Sequence, residues 1–126
     1  MPQAIAAKIE DRARILSTAV AEVARHLDIS STDLGNIIGI SQASASRLMR
    51  GAFTVRERTK EWELAALLVR LYRGVYSIVG SNDELAKAWL KSRNLAFGNE
   101  IPFAVIQHAR GLVHACDYVD AHRAPA

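Results

Sequence analysis

Apolar residues recur at intervals of three and four along almost the whole chain, which is the period of an amphipathic helix. No stretch alternates between apolar and polar residues as a half-buried strand would. The pattern predicts a helix over residues 3–27, a long helix over residues 60–79, and shorter helices between and after them. We therefore expect an all-α helical bundle.

The first predicted helix carries its clearest apolar stripe in its second half. Before that stripe the pattern weakens, with Ile5 and Ile9 one turn apart, so the beginning of the helix is expected to project or to pair with another subunit. The stripe comprises Ile15, Leu16, Ala19, Val20, Val23, Ala24 and Leu27.

Two short helices joined by a tight turn are predicted between residues 30 and 51. Ser30 is suited to cap the first helix, and Gly39 can adopt the left-handed conformation that a sharp turn requires. Ser41 is suited to cap the second helix, and Gly51 follows its last turn. This arrangement is a helix-turn-helix. Its inward-facing positions are Leu34, Ile37, Ile38, Ile40, Ala45, Leu48 and Met49.

The outer face of the second short helix carries small and hydrogen-bonding side chains that fit against a DNA groove. Glutamine suits adenine, arginine can bind guanine or phosphate, and serine can reach either. Five Arg or Lys residues oppose one Glu between residues 41 and 60, although the net charge of the whole chain is only +3. An ordinary helical hairpin with a solvated charged face is the alternative. The candidate DNA-binding residues are Ser41, Gln42, Ser44, Ser46, Arg47, Arg50, Arg56 and Arg58.

Residues 30–51 resemble the helix-turn-helix of Xre/Cro-type repressors, whose second helix follows the pattern Ser-Gln-x-x-apolar-Ser-Arg-apolar-x-x-Gly. Gly35 stands where that family usually has Ala, and Ala45 where it usually has Ile or Val. Both differences shrink the core between the two helices, so we expect a tighter or less stable motif. The resemblance implies that residues 1–58 form an Xre-like DNA-binding region.

The predicted helix over residues 60–79 is apolar on more than one face, with Trp62, Tyr72 and Tyr76 beside its stripe. A chain of this size would leave part of such a surface exposed, so we expect a homodimer formed through this helix. Gly74 is expected to permit a close helix crossing. The stripe comprises Leu64, Leu67, Leu68, Leu71, Val75, Ile78 and Val79.

Beyond residue 80 the chain predicts a series of short helices. Ser81 and Glu84 have the spacing of a capping box, which would open a helix running to about residue 92. After a loop, Pro102 is suited to the first turn of another helix. Gly111 is expected to interrupt that helix, with a last helix running to about residue 121 and a loose tail after it. The helix before the loop is expected to bury Leu85, Ala88 and Trp89.

This second half resembles the toxin-binding domain of MbcA/ParS/Xre antitoxins over about residues 80–120. In that family a tryptophan-bearing helix is followed by an Asn-x-x-apolar-Gly loop, a helix opened by proline, and a final helix opened by glycine. Arg93 departs from the pattern, because a proline commonly precedes the loop asparagine. Each matching residue also has a structural role of its own. The matching residues are Trp89, Asn94, Gly98, Pro102, Gly111 and Tyr118.

The resemblance implies that the chain is an antitoxin whose partner is a toxin with a RES domain. Such toxins degrade NAD or transfer its ADP-ribose, the C-terminal region of the antitoxin occludes their active site, and the antitoxin represses its own operon. We expect residues 59–126 to hold the dimerisation helix and the toxin-binding domain, with the last helix and tail as the inhibitory element. Its candidate toxin-binding residues are Asp117, Tyr118, Asp120, His122 and Arg123.

An enzymatic site is not expected. The sequence has no phosphate-binding glycine loop and no zinc-protease or hydrolase motif, and its four histidines are scattered. Cys116 lies among apolar residues and is expected to be a buried, inert thiol. We therefore expect no catalytic residue, metal or cofactor. No apolar run approaches the ~20 residues that cross a bilayer and no signal peptide is present, so we expect a cytoplasmic protein without membrane contacts.

The favoured interpretation is an antitoxin that binds both a toxin and operator DNA, as a homodimer within a larger complex. One alternative is a plain Xre-family repressor whose C-terminal half only dimerises. A second is a protein-interaction domain whose helix-turn-helix has lost DNA binding.

Overall fold

The computed structural model describes residues 2–123, which form seven α-helices and one short 3₁₀ helix, Leu95–Phe97. The only extended pairing in this range is an isolated antiparallel bridge between Asn94 and Glu100. The prediction of an all-α bundle is confirmed. The helices are α1 (Pro2–His26), α2 (Ser31–Ile38), α3 (Gln42–Met49), α4 (Lys60–Ile78), α5 (Asp83–Lys91), α6 (Pro102–Val105) and α7 (Ala109–His122).

Helix α4 lies at the centre of the molecule and packs against α1, α2, α5 and α7. Ala65, Leu68, Leu71 and Val75 have no exposed surface. The broad apolar stripe is therefore covered mainly by other helices of the same chain. It does not by itself require a second subunit, and the homodimer stays a prediction.

Helix α7 crosses α4 closely at Gly74. A Cβ atom at Gly74 would lie 2.6 Å from Cγ2 of Val119, which is itself fully buried. Only glycine allows the two helices to approach so closely. The close crossing expected at Gly74 is confirmed.

Helix α1 buries a face that differs from the predicted stripe near the middle of the helix. Val20, Val23 and other members of the stripe are buried, but Ile15 is 65% exposed. Ser17 is buried in its place, because its hydroxyl accepts a hydrogen bond of 2.8 Å from the backbone N–H of Val55. The side chains of Ile5 and Ile9, on which the prediction of a projecting arm depends, lie outside the described residues.

The start and the buried face of α5 differ from the prediction. Asn82, not Ser81, is the N-cap, and its Oδ1 accepts a hydrogen bond of 3.0 Å from the N–H of Leu85. Ser81 instead has a left-handed backbone with a φ of 60°. The buried residues of α5 are Ala86 and Leu90, whereas Leu85 and Ala88 are exposed and Trp89 is half-buried.

The last helix begins earlier than predicted, and Gly111 does not interrupt any element. Pro102 opens α6 as expected, but the break falls at residues 106–108, and α7 starts at Ala109. Gly111 lies in the first turn of α7, where a Cβ atom would be 1.8 Å from the carbonyl oxygen of Val105. The glycine thus lets α7 pass against the end of α6. Residues 124–126 of the predicted tail lie outside the described range.

We expect Gly111→Ala to lower the free energy of unfolding by about 2–3 kcal/mol, because the methyl group would meet backbone that cannot rotate away. Denaturant unfolding followed by circular dichroism measures this loss. Arg110→Ala is the matched control, since Arg110 is an exposed neighbour in the same turn and should change stability by less than about 0.5 kcal/mol. Equal stabilities of the two variants would contradict the close approach.

Candidate nucleic-acid and protein interfaces

The turn between α2 and α3 is held by capped helix ends. Ser30 Oγ accepts a hydrogen bond of 3.1 Å from the N–H of Asp33 at the start of α2. At its end, the N–H groups of Gly39 and Ile40 both donate to the carbonyl of Gly35, and Gly39 has a φ of 79°. The predicted cap and glycine turn are confirmed.

Gly35 accounts for the tightness of this turn. A Cβ atom there would lie 2.7 Å from the carbonyl oxygen of Ile40. The alanine usual in the repressor pattern would therefore push the turn away from α2. The small side chain of Ala45 is also fully buried between the two helices, so both departures serve a close pairing.

Helix α3 begins and ends where the sequence predicts. Ser41 Oγ accepts a hydrogen bond of 3.0 Å from the N–H of Ser44, and Gly51 has a φ of 80° just after the helix. Leu48 faces the core, but Met49 is 36% exposed and the prediction that it faces inward is wrong. Met49 lies at the edge of α3 that borders α1.

The candidate DNA-binding side chains of α3 make separate hydrogen bonds. Gln42 Nε2 donates to Ser31 Oγ at 2.7 Å, linking α3 to α2. Arg47 donates to Ser44 Oγ at 3.1 Å, and Arg50 donates to Ser46 Oγ at 2.9 Å. The glutamine and both arginines are exposed. These contacts hold the polar groups on one outer face.

The segment that follows α3 is anchored to the core and exposes its basic side chains. Val55 is buried, and its N–H donates to Ser17 Oγ, a contact that no local sequence pattern indicates. Arg56 lines a groove of about 400 Å³ together with Ser41 and Ser44, so the structure brings it beside the start of α3. Arg58 is exposed, with a left-handed backbone.

In the second half, the predicted loop is a turn closed by several hydrogen bonds. The N–H of Asn94 donates to Glu100 O at 3.0 Å, and Asn94 Oδ1 accepts from the N–H of Ala96 at 2.9 Å. Gly98 has a φ of 66°, and Phe97 is only 6% exposed. Asn94 and Gly98 thus shape the turn, and Phe97 anchors it.

Aromatic rings from three elements meet beside this turn. Phe97 contacts Trp89 of α5 edge-on, with centroids 6.0 Å apart, and Tyr118 of α7 at 5.2 Å. Tyr118 stacks on His122 at 4.1 Å. His122 Nδ1 lies 2.8 Å from the Tyr118 carbonyl. Tyr118 is therefore half-buried, and only His122 of this pair is fully at the surface.

The two candidate aspartates of α7 have different surroundings. Asp120 forms an ion pair with Arg70 of α4, which ties the two helices together. Asp117 is exposed, and so is Arg123 at the end of α7. The structure thus places Asp117 and Arg123 at the surface, and it pairs the half-buried Asp120 with the exposed Arg70.

A contact that was not predicted from the sequence joins the two halves of the chain. His26, at the end of α1, has its Nδ1 2.8 Å from Oδ2 of Asp83, at the start of α5. The hydrogen bond to His26 lowers the pKa of the Asp83 carboxyl. The His26 ring also stacks on Tyr72 of α4. A pair separated by 57 residues leaves no local sequence pattern.

Within residues 2–123 no group of three or more His, Cys, Asp or Glu side chains is placed to hold a metal ion. No single helix there is long and apolar enough to cross a membrane. Helices α4 and α5 together would be long and apolar enough to span a membrane, but a bend of 112° separates them.

Residues 7–70 match the sequence model of the antitoxin Xre-like helix-turn-helix domain, which covers more than half of the chain. The chain belongs to this antitoxin family. Residues 75–124 match the Xre/MbcA/ParS C-terminal toxin-binding domain. None of the curated proteins compared with the antitoxin matches it significantly. The two matches confirm the predicted resemblances and make the antitoxin a non-enzymatic regulator with a toxin and DNA as partners. The predicted boundary at residue 58 stays a prediction.

The single cysteine of the antitoxin, Cys116, is buried against α4, and its Sγ lies 3.2 Å from the Leu67 carbonyl. Burial raises the pKa of the Cys116 thiol to about 11. We expect a disulfide reagent to label it at pH 8 at least about 100-fold more slowly than a free thiol, whose pKa is about 8.5. Labelling should become fast once guanidinium unfolds the antitoxin. Fast labelling of the folded protein would contradict the burial.

Proposed function

We propose that this antitoxin neutralises a RES-domain toxin that degrades NAD or transfers its ADP-ribose, and that it represses its own operon. The observation that carries the proposal is the presence of a DNA-facing helix and a toxin-binding domain around one shared helix, α4. Both partners belong to the cytoplasm, where the antitoxin would act.

On the DNA side, α3 enters the major groove of the operator. Gln42 and Arg47 are exposed in its first and second turns, where a recognition helix meets base edges. Ser41, Ser44, Ser46, Arg50, Arg56 and Arg58 then contact phosphates or bases from the same side. The hydrogen bonds that Arg47 and Arg50 now make to serines are exposed, and each contributes little free energy. Contacts with DNA can therefore replace these hydrogen bonds at low cost.

Operator binding also favours a homodimer, because two recognition helices must reach half-sites about one helical turn apart. The exposed edge of α4 offers a surface for this contact. Trp62, Leu67 and Val113 line an open groove of about 760 Å³ between α4 and α7. We propose that a second copy covers this groove. The apolar stripe of α4 is already buried by other helices of the same chain and is not part of the contact.

On the toxin side, the surface of α7 and its end form the inhibitory element. Asp117 is exposed, and its carboxylate can accept hydrogen bonds from the donors with which a dinucleotide site binds phosphates. His122 extends this polar surface and stacks on the ring of Tyr118, whereas Arg123 lies on the side of α7 toward Gly74 of α4. Asp120 contributes by fixing α7 to Arg70.

For the DNA interface, we expect Arg47→Ala to weaken operator binding by about 1–3 kcal/mol and to relax specificity. Arg56→Ala or Arg58→Ala should weaken binding to all sequences alike and lower the salt slope by about one. Fluorescence anisotropy on operator and scrambled duplexes measures both effects. Arg73→Ala is the control, since Arg73 is exposed on α4 outside this face. Unchanged affinities for Arg47→Ala and Gln42→Ala would contradict the assignment of α3.

For the toxin interface, truncation after Arg110 is not a clean test, because it removes the fully buried side chains of α7 from the core. Asp117→Lys is the better variant. We expect it to abolish protection in cells that co-express the toxin encoded beside the antitoxin, while DNA binding is retained. Asp11→Lys, an equal charge change on α1, should protect fully. Protection by Asp117→Lys would place the inhibitory surface elsewhere.

A further inference from the structure

The turn between α5 and α6 is held by several hydrogen bonds. We call residues 93–100 the Leu95 loop. Its ends are joined by the Asn94–Glu100 bridge, and the N–H groups of Phe97 and Asn99 both donate to the carbonyl of Asn94 at 3.0 Å. Arg93 Nη1 donates to the carbonyl of Asn99 at 3.1 Å. Hydrogen bonds at both ends of the loop and within it thus fix its backbone.

At the tip of this rigid loop stands the most exposed large apolar side chain among the described residues. Leu95 is 86% exposed, and its neighbour Ala96 is exposed as well. Scattered exposed leucines are ordinary on protein surfaces. Leu95 differs because the backbone that carries it is already ordered. A partner that buries Leu95 therefore removes little conformational entropy from the loop backbone. A low entropic cost of this kind is typical of a residue that anchors an interface.

The loop adjoins the proposed inhibitory surface. Phe97, two residues after Leu95, packs on Tyr118 at 5.2 Å and on His114 of the same helix at 5.1 Å. Tyr118 in turn stacks on His122. The Leu95 loop and the polar face of α7 are therefore parts of one surface within residues 75–123.

We propose that Leu95 is the apolar anchor of the toxin interface and inserts into an apolar pocket on the toxin. Asp117 and His122 then form the polar rim beside it, as in interfaces where a few buried apolar residues carry most of the affinity. This inference rests on the proposed toxin partner. It names Leu95 as the residue on which the affinity for the toxin depends. The motif that identifies this loop rests on the residues on either side of Leu95 and not on Leu95 itself.

A second copy of the antitoxin is the competing occupant. The Leu95 loop lies within residues 75–124, which match the toxin-binding domain, and it packs through Phe97 on Tyr118 of the proposed inhibitory helix. The groove beside Trp62 and Val113, where we propose that a second copy binds, is a different surface. We therefore assign Leu95 to the toxin, and binding of Leu95 to a second copy is an outcome of the test.

The test measures the Kd of the full-length antitoxin for the purified toxin encoded beside it. Leu95→Ala should weaken binding by about 10- to 100-fold, the loss of one buried leucine side chain, and Leu95→Asp should weaken it further. Leu95→Met should stay within about tenfold of wild type, because methionine has nearly the same volume. Ile15→Asp is the matched control, a change of the same kind at a residue 65% exposed on α1.

Melting temperature and operator affinity of each variant report whether it folds, and substitution of an 86% exposed residue should leave both unchanged. Toxin binding by Leu95→Asp with wild-type affinity would overturn the inference and leave the proposed function standing. Failure of the wild-type antitoxin to bind the toxin would overturn both. Loss of self-association in Leu95→Asp with intact toxin affinity would assign the loop to a second copy and also overturn the inference.

Discussion

Helix α7 crosses α4 where Gly74 has no side chain, so Val119 lies directly against the backbone of α4. The other contacts between these helices follow from this approach. They include the ion pair of Arg70 with Asp120 and the burial of Cys116 against Leu67. Because α7 is fixed in this way, Tyr118, the residue before Val119, contacts Phe97. The positions of the Leu95 loop and of the inhibitory surface thus depend on one missing side chain.

Most of the fold was predictable because its signals are local. The caps Ser30 and Ser41, the turn at Gly39 and the start at Pro102 each depend on neighbours within four residues, and each was predicted correctly. The role of Gly74 was also predicted, because a glycine inside a strongly apolar helix leaves room for a neighbouring helix to approach. The DNA-facing side chains could be identified as candidates because one helix carries most of them.

The errors come from contacts between residues that are distant in sequence or in different elements. Ser17 is buried because Val55 donates to it, and Gly111 is required because Val105 lies against it in space. The apolar stripe of α4 is covered mainly by four other helices of the same chain, so it does not by itself require the second subunit, which stays a prediction. The pairing of Asp120 with Arg70 could not be inferred from α7 alone. Leu95 was overlooked because its significance lies in exposure on a rigid backbone, which no sequence pattern records.

The central position of α4 has a consequence for the lifetime of the antitoxin in the cell. Its residues complete the core beneath the helix-turn-helix and also the core beneath α7, and His26 adds a direct link to Asp83. We therefore expect the two halves to unfold together, so that a cellular protease that unfolds either end would destroy both. If the antitoxin represses its own operon, as proposed, degradation of one molecule would release the toxin and reopen the operon for transcription in a single event, so that resynthesis of the antitoxin begins as soon as its protection is lost.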